Sequence, residues 1–363
     1  MIVIGGGPAG LAVAGALRAS GMGVRVLERA TEVGAGWAGH YDRLHLHTVR
    51  WLSALPGRAL PRSYGPWVAR DDVVAYLRDY ARGLDVELGV EVKAVERADA
   101  GWRVTTSTGE MTADRVVVAT GYNRVPYLPL WAGRFAGELV HASRYRSGAA
   151  HRGKDVLVVG GGNTAAELAV DLVEQGASRV RLALRTPPNV VPRAVLGILM
   201  QALAILLGWL PPRVVDAIAR VTSRVFLGDL ARYGMPSPSR GVFSRALEGQ
   251  IPILDVGLVA ALRAGKIAIS AAVEGFDDRD VLLADGVRIQ PDVVVAATGY
   301  RRGLEALVGE LGVLDARGLP LVHGGRTLPH APGLHFIGYT NPLGGNLRAI
   351  ARDACAIARA ARA

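Results

Sequence analysis

Gly5, Gly7 and Gly10 fall at the spacing of a turn that cradles a pyrophosphate, and the pattern returns as Gly160, Gly162 and Ala165. Each small residue in such a turn has its own task. The first permits a tight bend, the second lets backbone amides approach an anion, and the third allows helix to pack closely on strand, so that the helix N-terminus faces the phosphates. A polar residue ends the second strand after each turn, Glu28 in one case and Arg185 in the other. A carboxylate there hydrogen-bonds a ribose diol, whereas an arginine pairs with a ribose 2′-phosphate that a glutamate repels. The first site is therefore read as one for FAD and the second as one for NADPH, with Arg193 as a second cation nearby. The plainer reading of Arg185 is a solvated surface arginine. Asn163 and Thr164, next to the second turn, either bond the pyrophosphate and nicotinamide side of NADPH or, for Asn163, cap the helix.

These residues need elements to hold them. Residues 2–28 and 154–185 each predict strand, glycine turn, alanine-rich helix and second strand. Two further runs, "DRVVVATGY" ending at Tyr122 and "DVVVAATGY" ending at Tyr300, read as buried strands closed by Ala-Thr-Gly, which brings Thr120 and Gly121 close to a bound nucleotide. The second run is expected to return the chain to the first domain. The last stretch, "GLHFIGYTNPLGGNLRAIARDACAIARA", predicts a strand, a turn at Gly338, a loop and an amphipathic helix. The start of that helix, at Gly345 and Asn346, either faces the flavin or is simply capped. The expected fold is α/β, with two doubly wound Rossmann-like dinucleotide-binding domains, the NADPH domain inserted in the FAD domain. Expected boundaries are 1–148 and 291–363 for the two parts of the FAD domain and 149–290 for the NADPH domain.

Composition narrows the class. The chain has 363 residues, half of them hydrophobic, and a formal charge of +10, which raises nucleic acid or anionic lipid as partners. The bases are nearly all arginine, with Lys93, Lys154 and Lys266 the only lysines, and they are scattered rather than gathered in a stripe with aromatics, so nucleic acid is not expected. Cys355 is the single cysteine, which removes an internal disulfide, a redox dithiol or a multi-cysteine metal site. The apolar N-terminus lacks the charged n-region of a signal peptide and reads as a strand, and a cytoplasmic location is expected. One uncharged run, 194–212, approaches the length of a membrane span. Gly197, Gly208 and Pro211-Pro212 favour a short buried helix or substrate lid, with peripheral membrane contact as the alternative and no transmembrane span. His45 and His47 have the spacing of paired ligands on a strand, yet no third ligand stands near, so no metal is expected.

Phe135, Gly137, His141 and Tyr145, in "FAGELVHASRY", fit FxGxxxHxxxY just ahead of the second glycine turn. In this the chain resembles the flavin-containing monooxygenases. Along nearly its whole length it is most similar to the YUCCA branch, plant-type enzymes that oxidatively decarboxylate indole-3-pyruvate. The segments that carry the likeness include "YDRLHLHT" from Tyr41, "ALPGRALPRSY" from Ala54, "DDVVAYLRDYA" from Asp71, "LPPRVVDAI" from Leu210 and "PILDVGLVAALRAGKI" from Pro252. The chain departs from the family in being short and in beginning directly at the first strand.

The resemblance implies an enzyme that uses NADPH, FAD and O₂ through a C4a-(hydro)peroxyflavin, acting on a small molecule such as an aromatic 2-oxo acid. N- or S-oxygenation, Baeyer–Villiger oxidation and a non-catalytic FAD/NADP(H) redox sensor are the competing readings. The cofactors would do the chemistry and the protein would position them and exclude water, so no catalytic triad is expected. The resemblance places His47 as a polar donor beside the flavin C4a region, and Asn163, next to the second glycine turn, is a second catalytic candidate. Gly36 and Trp37, in "GAGW", resemble the family's GxW, with Trp37 either covering cofactor or lying in the core. Val92 is expected to offer its backbone to the adenine, and His141 to position NADPH rather than to act as a base. Oligomeric state is not legible.

Overall fold

The computed structural model describes residues 1–195, 198–199, 205–342 and 344–362. The chain divides into two compact units, one made of Met1–Gly39, Thr48–Val125 and Tyr300–Ala363, the other of His40–His47 and Pro126–Gly299.

The first unit is built on a parallel five-stranded sheet. Its order is Leu334–Phe336, Val116–Val118, Ile2–Ile4, Arg25–Glu28, Val86–Leu88. The inner strands IVI and VVV are buried throughout, as a sheet covered on both faces requires. One face carries the helix Pro8–Ala19, which packs on the C-terminal helix Asn346–Arg362. Proline at the first helical position suits this start, because the lost N–H has no partner there anyway. On the other face, Ile2, Ile4, Leu27, Val116, Val118 and Phe336 share a core with Val95, Trp102 and Val104 of the antiparallel strands Val92–Arg97 and Trp102–Thr106. Trp102 is fully buried and its indole N–H donates to the Pro332 carbonyl at 3.1 Å, so the large ring is covered without stranding its donor.

The second unit repeats the plan. Its parallel sheet has the order Ile267–Ser270, Arg179–Ala183, Asp155–Val159, Val293–Ala296, Glu138–His141. The helix Asn163–Glu174 buries Leu168 and Leu172 against this sheet, each worth about 1.5–3 kcal/mol of burial.

Four expectations are corrected here. The run ending at Tyr300 does not return to the first sheet: Val293–Ala296 bonds to Asp155–Val159 inside the second, and Glu138–His141 lines up beside it as the edge strand. Residues 126–148, placed by sequence with the first domain, therefore fold with the second unit, because a strand belongs where its ladder is. Residues 40–47 form no strand but an irregular arm that also packs in the second unit. Within 194–212, Ala194–Val195 and Ile198–Leu199 pair antiparallel and Leu207–Trp209 is a 3-10 turn, while 196, 197 and 200–204 lie outside the described residues. Leu206 and Trp209 are exposed rather than buried. An apolar run without a period does not distinguish helix from strand, nor core from surface.

Candidate active site

In the first unit the strand Ile2–Ile4 ends at Gly5, whose φ of +110° is open only to glycine at low cost. A Cβ on Gly5 would stand 2.6 Å from the Ala119 carbonyl oxygen, and one on Gly10 only 1.9 Å from that of Gly5. Gly7 differs: nothing lies within 4 Å of a Cβ there. Two glycines thus close the turn and the third leaves its backbone approachable. Gly7 is also the N-cap of the helix and no side chain caps it, so its first amides are left for an anion. This cradle fits the diphosphate of a dinucleotide. Glu28 sits at the strand end, where its carboxylate accepts the Gly6 N–H at 2.5 Å and the Ala30 N–H at 2.8 Å.

The Ala-Thr-Gly turn after Val116–Val118 is pinned from the neighbouring strand. Thr120 N–H donates to the Tyr339 hydroxyl at 3.0 Å and the Thr120 hydroxyl lies 2.9 Å from it. Burial pushes the Tyr339 phenol up to about 12. Gly121 and Gly338 both have positive φ, and a Cβ on Gly338 would stand 3.1 Å from that of Ala9, so the C-terminal turn lies against the start of the first helix. Asn346 Oδ1 is buried without a hydrogen-bond partner among the described residues. Beyond the turn, the Arg302 guanidinium lies 3.3 Å from the Tyr122 ring centroid and donates to the Tyr122 and Tyr300 carbonyls. Gly36 is exposed and Trp37 half-buried, so Trp37 is not a core residue. Val92 begins its strand with a buried side chain.

The second turn is built alike. A Cβ on Gly160 would meet the Ala297 carbonyl oxygen at 2.4 Å, Gly162 is open, and the third position holds Ala165, fully buried. Gly162 is again an N-cap without a side-chain partner. Arg185 is exposed just past the strand Arg179–Ala183, and among the described residues it forms no ion pair.

Asn163 needs correcting. Gly162, not Asn163, is the helix cap, and the Asn163 amide is buried, donating to the Pro252 carbonyl at 3.0 Å and accepting the Leu254 N–H at 2.8 Å. A primary amide presents N–H donors and an acceptor oxygen side by side in one plane, which matches the backbone of an extended segment, so the side chain acts as a strand partner.

The arm 40–47 also departs from expectation. His47 Nε2 makes a short hydrogen bond to the Glu167 carboxylate, which is buried and also accepts the Tyr41 hydroxyl at 3.1 Å. Thr164 hydrogen-bonds Tyr41 as well. Burial first, then the Glu167 charge, holds the Tyr41 phenol well above its ordinary value. Arg193 Nη2 donates to the Leu46 carbonyl at 2.8 Å, and burial lowers its guanidinium to about 10 against the opposing pull of Glu167. His47, Thr164 and Arg193 are thus bound into one half-buried polar cluster around Glu167 of the second unit's helix. His45 faces away, Nδ1 to the Arg43 carbonyl, so the two imidazoles do not converge.

The fingerprint stretch is accounted for residue by residue inside the second unit. Phe135 packs on Phe276 with centroids 5.4 Å apart, and Gly137 makes room for it, since a Cβ there would stand 2.6 Å from the Phe135 ring. His141 Nε2 donates to the Gly299 carbonyl at 3.1 Å, while Nδ1 accepts the Ser143 N–H at 3.0 Å. Burial lowers its pKa, so the ring is neutral near pH 7. Tyr145 donates to Asp171 at 2.6 Å.

Sequence reasoning missed Tyr339, Arg302 and Glu167. The signal for Glu167 was legible: an acid in the apolar run of "NTAAELAVDLVE" is buried by helical period and needs partners.

Residues 2–193 match the family described as pyridine nucleotide-disulphide oxidoreductase. The chain is 35% identical over 350 residues to the indole-3-pyruvate monooxygenase YUCCA1 of Oryza sativa subsp. japonica, across 93% of this chain and 86% of that relative. It is 33% identical over 355 residues to the indole-3-pyruvate monooxygenase YUCCA6 of Arabidopsis thaliana, across 93% and 85%. Among solved structures, a flavin-containing monooxygenase from Stenotrophomonas maltophilia superposes with a TM-score of 0.73 at 26% identity, over 99% of this chain and 96% of that one.

Proposed function

The chain belongs to the class B flavin-containing monooxygenases, and from that premise we propose that it oxidatively decarboxylates an aromatic 2-oxo acid, with indole-3-pyruvate as the preferred substrate. It is a flavin-dependent monooxygenase that uses FAD and NADPH. The observation that carries the finer reading is the likeness, sustained along nearly the whole chain, to enzymes named for that reaction. Bound together, the two cofactors supply hydride transfer and the activation of dioxygen.

The residues of the chain supply binding and orientation. We assign the FAD diphosphate to the open amides at Gly7 and the following helix start, with Glu28 toward the ribose. The corresponding amides at Gly162 would hold NADPH, and Arg185 would meet its 2′-phosphate. Tyr339 and His141 hold the two Ala-Thr-Gly turns in place. We propose the domain order that this implies, an NADPH domain inserted in an FAD domain. With a single cysteine in the chain, no internal dithiol competes for the electrons.

The test is aerobic turnover of the purified yellow protein with NADPH and indole-3-pyruvate, measuring indole-3-acetate and CO₂. Stoichiometric formation of both supports the reading. NADPH consumption that indole-3-pyruvate leaves unchanged, with turnover of amines, sulfides or ketones instead, would replace it.

A further inference from the structure

We propose that the helix Pro212–Leu227 is a docking surface for an anionic lipid bilayer. The helix has three distinct stripes. Val215, Asp216 and Leu227 face the protein, where the Asp216 carboxylate accepts the Phe243 N–H and the Ser244 hydroxyl. Val214, Ile218, Val221 and Val225, at spacings of four, three and four, form an apolar row that is turned to solvent, with Val221 64% and Val225 70% exposed. Arg213, Arg220 and Arg224 form a row between the two, all exposed.

A helix buried in its own protein would turn such a valine row inward. Exposed on one row and basic along its edge, it has instead the pattern of a helix lying in a membrane interface, apolar side in the acyl boundary and arginines at the headgroups. Trp209, just ahead of the helix and 79% exposed, adds an indole of the kind that settles at headgroup level. Charge selects the occupant. Asp216 is the only acid in the helix and is buried, so a second copy placed across this face would bring arginine rows together with no helix acid to pair them. A surface of anionic headgroups complements the same row. No helix among the described residues is long and apolar enough to cross a membrane, so the contact is with one leaflet.

The test is flotation of the full-length holoenzyme with vesicles, either of phosphatidylcholine alone or of phosphatidylcholine and phosphatidylglycerol in equal parts. Binding is expected to the mixed vesicles only, and to weaken at least ~10-fold between about 50 mM and about 500 mM salt as the charges are screened. Arg220→Gln with Arg224→Gln should weaken binding about thirtyfold, at ~1 kcal/mol per arginine. Val221→Ser with Val225→Ser should weaken it about tenfold through lost apolar burial. Both pairs are exposed, and FAD content with lipid-free NADPH oxidation should equal that of the parent, which shows that the protein is intact. No flotation, equal binding to both vesicle types, or indifference to both pairs would overturn the proposal. So would a dimer in lipid-free solution that the valine pair dissociates, since the face would then belong to a second copy.

Discussion

The two parallel sheets have the same plan but draw their fifth strands from opposite sides, in sequence, of their glycine turns. Outward from the glycine-turn strand, each has the Ala-Thr-Gly strand on one side and two further strands on the other. Beyond the Ala-Thr-Gly strand, the first sheet takes Leu334–Phe336, the last strand in sequence, whereas the second takes Glu138–His141, which precedes its own glycine turn. In both cases a side chain at or just past the end of that fifth strand reaches the neighbouring turn: Tyr339 to Thr120, His141 to Gly299. The difference lies in which chemistry does the pinning. The lesson is that the FxGxxxHxxxY stretch is not a linker between nucleotide sites. It is the structural counterpart, in the second unit, of the C-terminal strand in the first.

This correspondence is breakable, and the third small residue of each turn breaks it hardest. Gly10→Ala drives a Cβ against the Gly5 carbonyl, and the purified protein should lose its flavin absorbance entirely. Ala165→Gly, at the matching position, should keep both cofactors and lower unfolding stability by only about 1 kcal/mol, through helix propensity. Next in size is the arm. Glu167→Ala removes the acceptor of both Tyr41 and His47, and a loss of about 2–3 kcal/mol in denaturant unfolding is expected; a change below about 0.5 kcal/mol would mean that water replaces the carboxylate. Arg185→Ala tests the asymmetry in strand-end charge. KM for NADPH should rise about tenfold while that for NADH stays within about twofold, and equal shifts would take Arg185 off the 2′-phosphate.

The smallest effect separates the pins by pH. Burial lowers the His141 pKa, so the folded state disfavours its charged form relative to an unfolded value of 6.5; the stability it confers is complete above 6.5 and is lost as pH falls below that value. Tyr339 behaves oppositely: with its phenol raised from 10.0 to about 12, its contribution is complete below 10 and is lost as pH climbs above it. Hydrogen exchange should therefore show residues 297–299 loosening first in mild acid and 119–121 first in alkali. His141→Ala should abolish the acid arm, raise hydrogen peroxide leakage per NADPH and leave FAD bound. Loosening of both turns together at either extreme would mean that neither pin acts locally.

Both glycine turns, their strands and their helices were legible, because glycine spacing and apolar runs are local signals. Strand partnership was not: "DVVVAATGY" reads identically whichever sheet receives it, and the ladder puts its strand in the second sheet, with the chain re-entering the first unit only at Tyr300. The partners of His47 and Asn163 were hidden for another reason. A polar side chain beside a nucleotide motif looks available in sequence, while its actual partners, Glu167 for one and the backbone at Pro252 and Leu254 for the other, lie about ninety residues or more away along the chain.

The arm 40–47 also bears on inheritance. The chain crosses between the units after residues 39, 47, 125 and 299, so the second unit is not one continuous stretch of gene. A cassette encoding 126–299 alone would leave behind Tyr41 and His47, and with them the groups that satisfy a buried carboxylate. Recombination that trades nucleotide-binding modules between proteins works on contiguous segments, and here it would deliver a module already missing a part. A transferable second module would need residues 40–47 as well as 126–299.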